Sequence, residues 1–280
     1  MHPILFHYGA VTIYSYGVLV ATGVLLGLWY ARRQAPRAGL DPERIWNLGI
    51  YMVLTALIVA KVWLVLSSWD FYMANPREIF SLNTFQSGGT FYGGFVGALA
   101  LVAAYTYVQR MSIVAVLDTF AAGLPLGHAI GRLGCFAAGC CYGKPTTAAW
   151  GVTFKNPAAA QLAGTPLGVK LHPTELYEAA AEFLNFLILV WLGKRQTFRG
   201  QMMATYFILY GVERGLIEFV RGDPGRTMLW NGSVSLMQLV SVALVVIGAI
   251  VWWRGLRGQA PGMSATNIAG ARRAPATAER

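Results

Sequence analysis

Apolar side chains run along this chain in seven stretches with few charges: residues 11–30, 45–69, 93–108, 113–133, 173–192, 202–219 and 234–253. A helix that crosses a bilayer needs about 20 mostly apolar residues, so the pattern predicts seven membrane-spanning helices joined by polar loops. The third and fourth stretches are short and rich in glycine. If the fourth breaks into a re-entrant segment, six spans remain. Residues 140–171 hold Lys144-Pro145-Thr146-Thr147, Lys155-Asn156-Pro157 and Gly164-Thr165-Pro166-Leu167-Gly168. Proline and glycine at that density interrupt helices and predict an ordered loop.

Composition supports the same class. The 280 residues are 56% hydrophobic and 12% charged, whereas soluble domains carry roughly 25% charged residues. An aromatic content of 13% excludes disorder, and three cysteines exclude a disulfide scaffold. The expected fold is all-α, a polytopic membrane protein. Its net charge of +10 then speaks of orientation rather than of nucleic acid, because Lys and Arg collect on the cytoplasmic side. With the N-terminus outside, thirteen of these residues fall in inner loops and the tail (Arg32 to Arg44, Arg110, Lys194 to Arg199, Arg254 onward), and six fall outside. The expectation is N-terminus out and C-terminus in. The first ten residues have no basic segment, so no cleaved signal peptide is expected. Residues 1–257 read as one transmembrane domain. Residues 258–280, rich in Ala, Gly, Pro and Arg, read as a disordered cytoplasmic tail. Neither a short-period repeat nor an inverted pair of broken helices is evident, which weighs against common transporter architectures.

Four clusters carry candidate chemistry. Gly88-Gly89-Thr90-Phe91-Tyr92-Gly93-Gly94-Phe95-Val96-Gly97 costs helix stability at each glycine; either small residues pack helices closely or backbone approaches a ligand. In Gly131-Arg132-Leu133-Gly134-Cys135, extended to Cys140-Cys141-Tyr142-Gly143, an arginine sits among glycines at the outer end of an apolar segment. It is a snorkelling cation or, with backbone N–H groups, an anion site suited to phosphate. The C-x4-C-C spacing is not a usual zinc pattern. These cysteines are small buried side chains or, on the outer face, a disulfide. His172-Pro173-Thr174-Glu175-Leu176-Tyr177-Glu178 opens a span with Pro and acidic groups suited to a helix N-terminus, which leaves His172 beside Tyr177 unexplained. In Tyr210-Gly211-Val212-Glu213-Arg214-Gly215-Leu216-Ile217-Glu218-Phe219-Val220-Arg221, Arg214 and Glu218 share a helix face and Arg221 stays near it. Two arginines against one glutamate leave a cationic surplus for a bound anion, and an anionic lipid headgroup is the natural ligand.

In this order the motifs resemble the prolipoprotein diacylglyceryl transferase family: Tyr16-Gly17, F-x-G-G-x-x-G, G-R-L-G, H-P-T-E-L-Y-E and Y-G-x-x-R-x-x-x-E-F-x-R, from about residue 1 to 253. The resemblance implies a single transmembrane catalytic domain in the bacterial cytoplasmic (inner) membrane. Its partners would be phosphatidylglycerol, membrane lipids and lipoprotein precursors. The diacylglyceryl group would move to the lipobox cysteine thiol, and glycerol phosphate would leave; no cofactor and no metal is implied. By matching position Arg132 would bind the lipid phosphate, and Arg214, Glu218 and Arg221 would form a second charged wall. Tyr16, Gly17, Gly93, Gly94, Gly134, Cys135, Gly143, Tyr177 and Glu178 would line the site. The chain departs from the family where members commonly have H-G-G, here Tyr92-Gly93-Gly94, and where Asn residues commonly stand, here Cys135 and Ala138; Cys140 replaces a glutamate. A thiol with pKa ≈ 8.5 gains from a base, and the base is open among His172, His128, Glu218 and Tyr92. A non-catalytic or differently specific paralogue and a transporter of lipidic anions are the competing readings.

Overall fold

The computed structural model describes residues 2–8, 11–81, 84 and 89–258. Gly88 and residues 259–280, nearly all of the expected tail, lie outside them. The chain is mostly helical and divides into two compact units, residues 1–33 with 117–280, and residues 34–116.

In the first unit, β1 (Ile4–Tyr8) pairs antiparallel with β2 (Val11–Tyr14), so the apolar run expected as a span from residue 11 starts as strand. Helix α1 (Ser15–Gln34) follows directly. In the second unit, α2 (Pro42–Ser67) begins at Asp41, whose carboxylate accepts from the Glu43 N–H, with Pro42 in the first turn. The short α3 (Trp69–Ala74) follows, and α4 (Phe91–Val108) packs on α2. A Cβ at Gly93 would lie 2.6 Å from the Trp63 Cβ, and one at Gly97 2.8 Å from the Val59 side chain. The glycines of this cluster therefore let two helices approach closely.

The expected fourth span is two helices, α5 (Ile113–Ala121) and α6 (Gly123–Ala138), bent by 43° at Ala122. In the first unit α6 lies on α1 through two small-residue pairs. A Cβ at Gly23 would stand 2.6 Å from the Gly127 carbonyl oxygen, and one at Gly123 2.5 Å from that of Gly27. Both helices thus carry glycines four residues apart on the contact face. The segment 140–171 is not loop throughout. It holds α7 (Pro157–Ala163), begun by the Asn156 side chain accepting from the Ala158 N–H and ended by Gly164 at φ 66°, and the pair β3 (Val152–Thr153) with β4 (Lys170–Leu171). Three long helices complete the unit: α8 (Thr174–Gly193), α9 (Gln201–Glu218) and α10 (Leu236–Arg257). Between the last two, β5 (Met228–Leu229) pairs with β6 (Val234–Ser235). The Asp118 carboxylate accepts from the backbone N–H groups of Gly200 and Met203 and from Gln196 Nε2, at 2.6, 3.0 and 2.8 Å. It thereby satisfies the start of α9 from another helix. Among the described residues, α2, α8 and α10 are each long and apolar enough to cross a membrane, and α5 with α6 makes a fourth if counted as one span.

Candidate active site

Helix α8 is apolar except for one stripe: Glu175, Glu178, Glu182 and Asn185, spaced three or four apart and all buried. Helix α6 answers with His128, Arg132 and Cys135 at the same spacing. Facing stripes of opposite character explain how these groups tolerate an apolar surround, since a buried charge needs a partner. Arg132 Nη2 lies 2.8 Å from Glu178 Oε1, a close ion pair that is not aligned as a hydrogen bond. Arg132 Nε donates to His128 Nε2 at 3.1 Å. His128 Nε2 is therefore an acceptor, so its proton sits on Nδ1, which donates to Glu182 Oε1. Tyr206 also donates to Glu182, at 3.4 Å, while Asn185 donates to Glu182 and to Glu213 at 3.4 and 2.6 Å. Arg132 Nη1 contacts the Cys135 sulfur at 3.9 Å.

A second charged group forms where α9 ends. Arg214 Nη1 donates to Glu218 Oε2 at 2.5 Å, and both are buried. The sequence pattern placed Arg221 on the same helix face, but the helix stops at Glu218. Arg221 instead grips Asp223 with two parallel bonds of 2.7 and 2.8 Å, and Arg226 takes its place on Glu218 Oε1 at 3.3 Å. Three guanidinium groups face two carboxylates, so the expected cationic surplus remains with a different membership.

Backbone pairing draws the segments together. Gly143 bridges Arg221, its N–H donates to His172 O at 2.9 Å, and Lys144 N–H donates to Val220 O at 2.8 Å. A Cβ at Gly143 would come within 2.6 Å of the His172 Cβ, so only glycine fits this crossing. Gly134 lies against Tyr16, whose Cα a Cβ there would meet at 3.4 Å; beside Gly17 such an atom would meet nothing within 4 Å. The His172 ring pairs through Nδ1 with the Tyr177 hydroxyl at 3.1 Å, and Trp150 Nε1 donates to that hydroxyl at 2.7 Å. Tyr92, Gly93 and Gly94 stand on α4 in the other unit, where Tyr92 is half exposed and Gly94 packs toward the Ala56 carbonyl. The sequence reading missed Glu182 and Arg226 as members of this region, and it held Glu175 and Cys141 within its clusters without giving either a place in the site. For the two glutamates the spacing along α8 was a usable signal.

These features define a helical membrane protein with a buried site of paired arginines and carboxylates. The sequence profile of the prolipoprotein diacylglyceryl transferase family matches residues 3–254, and the chain belongs to that family. It is 31% identical over 255 residues to the phosphatidylglycerol–prolipoprotein diacylglyceryl transferase of Clostridium tetani, covering 90% of this chain and 97% of that protein. The enzymes of the same name from Geobacillus kaustophilus and Bacillus cytotoxicus are 34% and 35% identical. They cover 89% and 87% of this chain, and 90% and 88% of their own length.

Proposed function

We propose that this chain transfers the diacylglyceryl group of phosphatidylglycerol to the lipobox cysteine thiol of lipoprotein precursors, the first step of bacterial lipoprotein maturation, as the names of its relatives indicate. The observation that carries the reading is Arg132. Two of its nitrogens are fixed by His128 and Glu178, and the third, Nη1, faces a weak sulfur acceptor. A guanidinium held this way is preorganised for the phosphate oxygen on which charge develops as the C–O bond breaks. His128, with Nδ1–H on Glu182, positions Arg132. Arg214, Glu218, Arg221 and Arg226 supply the second wall against an anionic headgroup, and Tyr16, Tyr177, Gly134 and Gly143 shape the space around it.

The proposal extends to topology: seven spans in the cytoplasmic membrane, N-terminus outside and C-terminus inside. One feature supports this beyond the charge count. The ends of α1, α8 and α10 each stack an arginine on a tryptophan four residues earlier: Arg33 on Trp29, Arg195 on Trp191, Arg257 on Trp253, with cation-to-ring distances of 5.6, 4.3 and 3.7 Å. Such pairs suit the headgroup level of a membrane, and in this topology all three ends are cytoplasmic. The activity is tested with membranes containing the chain, labelled phosphatidylglycerol and a peptide bearing a lipobox cysteine. A thioether-linked diacylglyceryl peptide, identified by mass spectrometry, is the expected product. Lipid binding without that product would favour the non-catalytic paralogue.

A further inference from the structure

The three cysteines are free thiols, and their sulfurs all lie within 4.8 Å of one another. The backbone is bent to bring them there. Gly139 ends α6 at φ 85°, and Cys141 takes φ 67°, a left-handed conformation that a cysteine adopts at a cost in strain. The Thr174 hydroxyl holds the turn by donating to the Cys141 carbonyl at 2.7 Å. Strain of this kind has no use if the thiols are mere apolar filling. The surroundings are also polar. Arg132 Nη1 reaches Cys135 Sγ at 3.9 Å, and Glu175 is fully buried nearby with neither carboxyl oxygen partnered.

We propose that Cys135, Cys140 and Cys141 form a three-thiolate site for zinc, open at a fourth position that receives the acceptor thiol. This rests on the transfer reading above and deepens it. Zinc bonds thiolate sulfur at about 2.3 Å in a tetrahedron, which sets the sulfurs roughly 3.8 Å apart, so the observed cluster closes onto the ion with small side-chain movements. Sites with three protein ligands leave the fourth position to water or substrate. Three thiolates on a divalent ion carry excess negative charge, which the Arg132 guanidinium offsets. Cys135 is buried, while Cys140 and Cys141 are partly exposed, so an incoming group has access on their side.

The chemistry follows from the charge of the ion, because a thiol that binds zinc is deprotonated. The S–H proton of the acceptor leaves to water as its sulfur joins the metal. That sulfur then gives an electron pair to the glyceryl carbon. The carbon–oxygen bond to phosphate breaks, and glycerol phosphate departs with its electron pair beside Arg132.

The test uses the purified, reduced full-length chain in lipid nanodiscs, stripped of metal and then given zinc or cobalt(II). Binding of about one ion per chain is expected, with a thiolate-to-cobalt absorption band that a cysteine peptide shifts and its serine analogue does not. C141S should lose the ion. Because that variant can misfold, the cobalt spectrum of the unaltered chain is the primary readout. Failure to retain metal, a native disulfide among the three cysteines, or a cobalt band indifferent to the cysteine peptide overturns the proposal. Full-rate transfer by the chelated protein overturns it too, while leaving the transfer reading intact. Binding of cobalt and peptide thiol without thioether formation sustains the site and counts against the transfer reading.

Discussion

Removing the carboxylate of Glu218 should be among the most damaging single changes near the site. Its two oxygens serve Arg214 at 2.5 Å and Arg226 at 3.3 Å, and it is 2% exposed. The isosteric change Glu218→Gln keeps the volume and leaves two guanidinium groups without their shared counter-charge. Breaking a buried pair by removing one partner costs about 3–5 kcal/mol, and a second stranded cation should put this change at the upper end. Arg214→Gln strands Glu218 less completely, because Arg226 stays in place, so its cost should be smaller. The double change removes both ends of the closer pair and should cost less than the sum of the singles by about 0.5–3 kcal/mol. Chemical denaturation in detergent, followed by tryptophan fluorescence, gives the three values on one scale. Simple additivity, or a larger loss for Arg214→Gln than for Glu218→Gln, would refute the shared-carboxylate arrangement.

Three further outcomes are expected. Gly23→Leu should drive α1 from α6, since even a Cβ there would sit 2.6 Å from the Gly127 carbonyl oxygen; overpacking costs about 1–3 kcal/mol, whereas Gly131→Ala, inside α6 with open space around it, should raise the denaturation midpoint by the helix preference of alanine, about 0.5–1 kcal/mol. Asp118→Ala should lose about 1–3 kcal/mol by leaving the N–H groups of Gly200 and Met203 unsatisfied, and Asp118→Ala should show it as faster hydrogen exchange at the start of α9. For topology, single cysteines in a background with the three native ones changed to Ser are labelled with an impermeant thiol reagent. Gln161→Cys should label in intact cells and Thr197→Cys only after lysis. Thr165, in the same loop as Gln161, is unsuitable because its hydroxyl is buried on the Gly139 and Ala159 carbonyls.

Helix positions were legible because membrane helices announce themselves by apolar length: α2, α8 and α10 lie within a few residues of the expected stretches. The first helix starts at Ser15, four residues after the expected start, because an apolar run of Val, Thr, Ile and Tyr suits a strand equally well, and β2 takes it. Arg132, Glu178, Arg214 and Glu218 were visible as charges in apolar segments, where the lack of water forces a partner or a function. Their exact partners were less visible. Arg221 follows the helical spacing from Arg214, and nothing local marks Glu218 as the last helical residue, so the exchange of Arg221 for Arg226 depends on where the chain turns. The three thiols illustrate the same limit. Spacing rules for metal ligands assume common backbone turns, while here left-handed residues at Gly139 and Cys141 fold C-x4-C-C into one cluster.

Arg132 as the phosphate anchor of diacylglyceryl transfer is the central claim, and the most direct measurement is kcat/KM for transfer from phosphatidylglycerol by Arg132→Ala, in vesicles with matched amounts of inserted protein. Losing a preorganised donor to a developing charge costs about 2.7–4 kcal/mol, a factor of about 10²–10³ in rate. The account predicts a loss of that size, with Arg132→Ala inserting and accumulating as the unaltered chain does. Transfer by Arg132→Ala within a few-fold of the unaltered rate would contradict it.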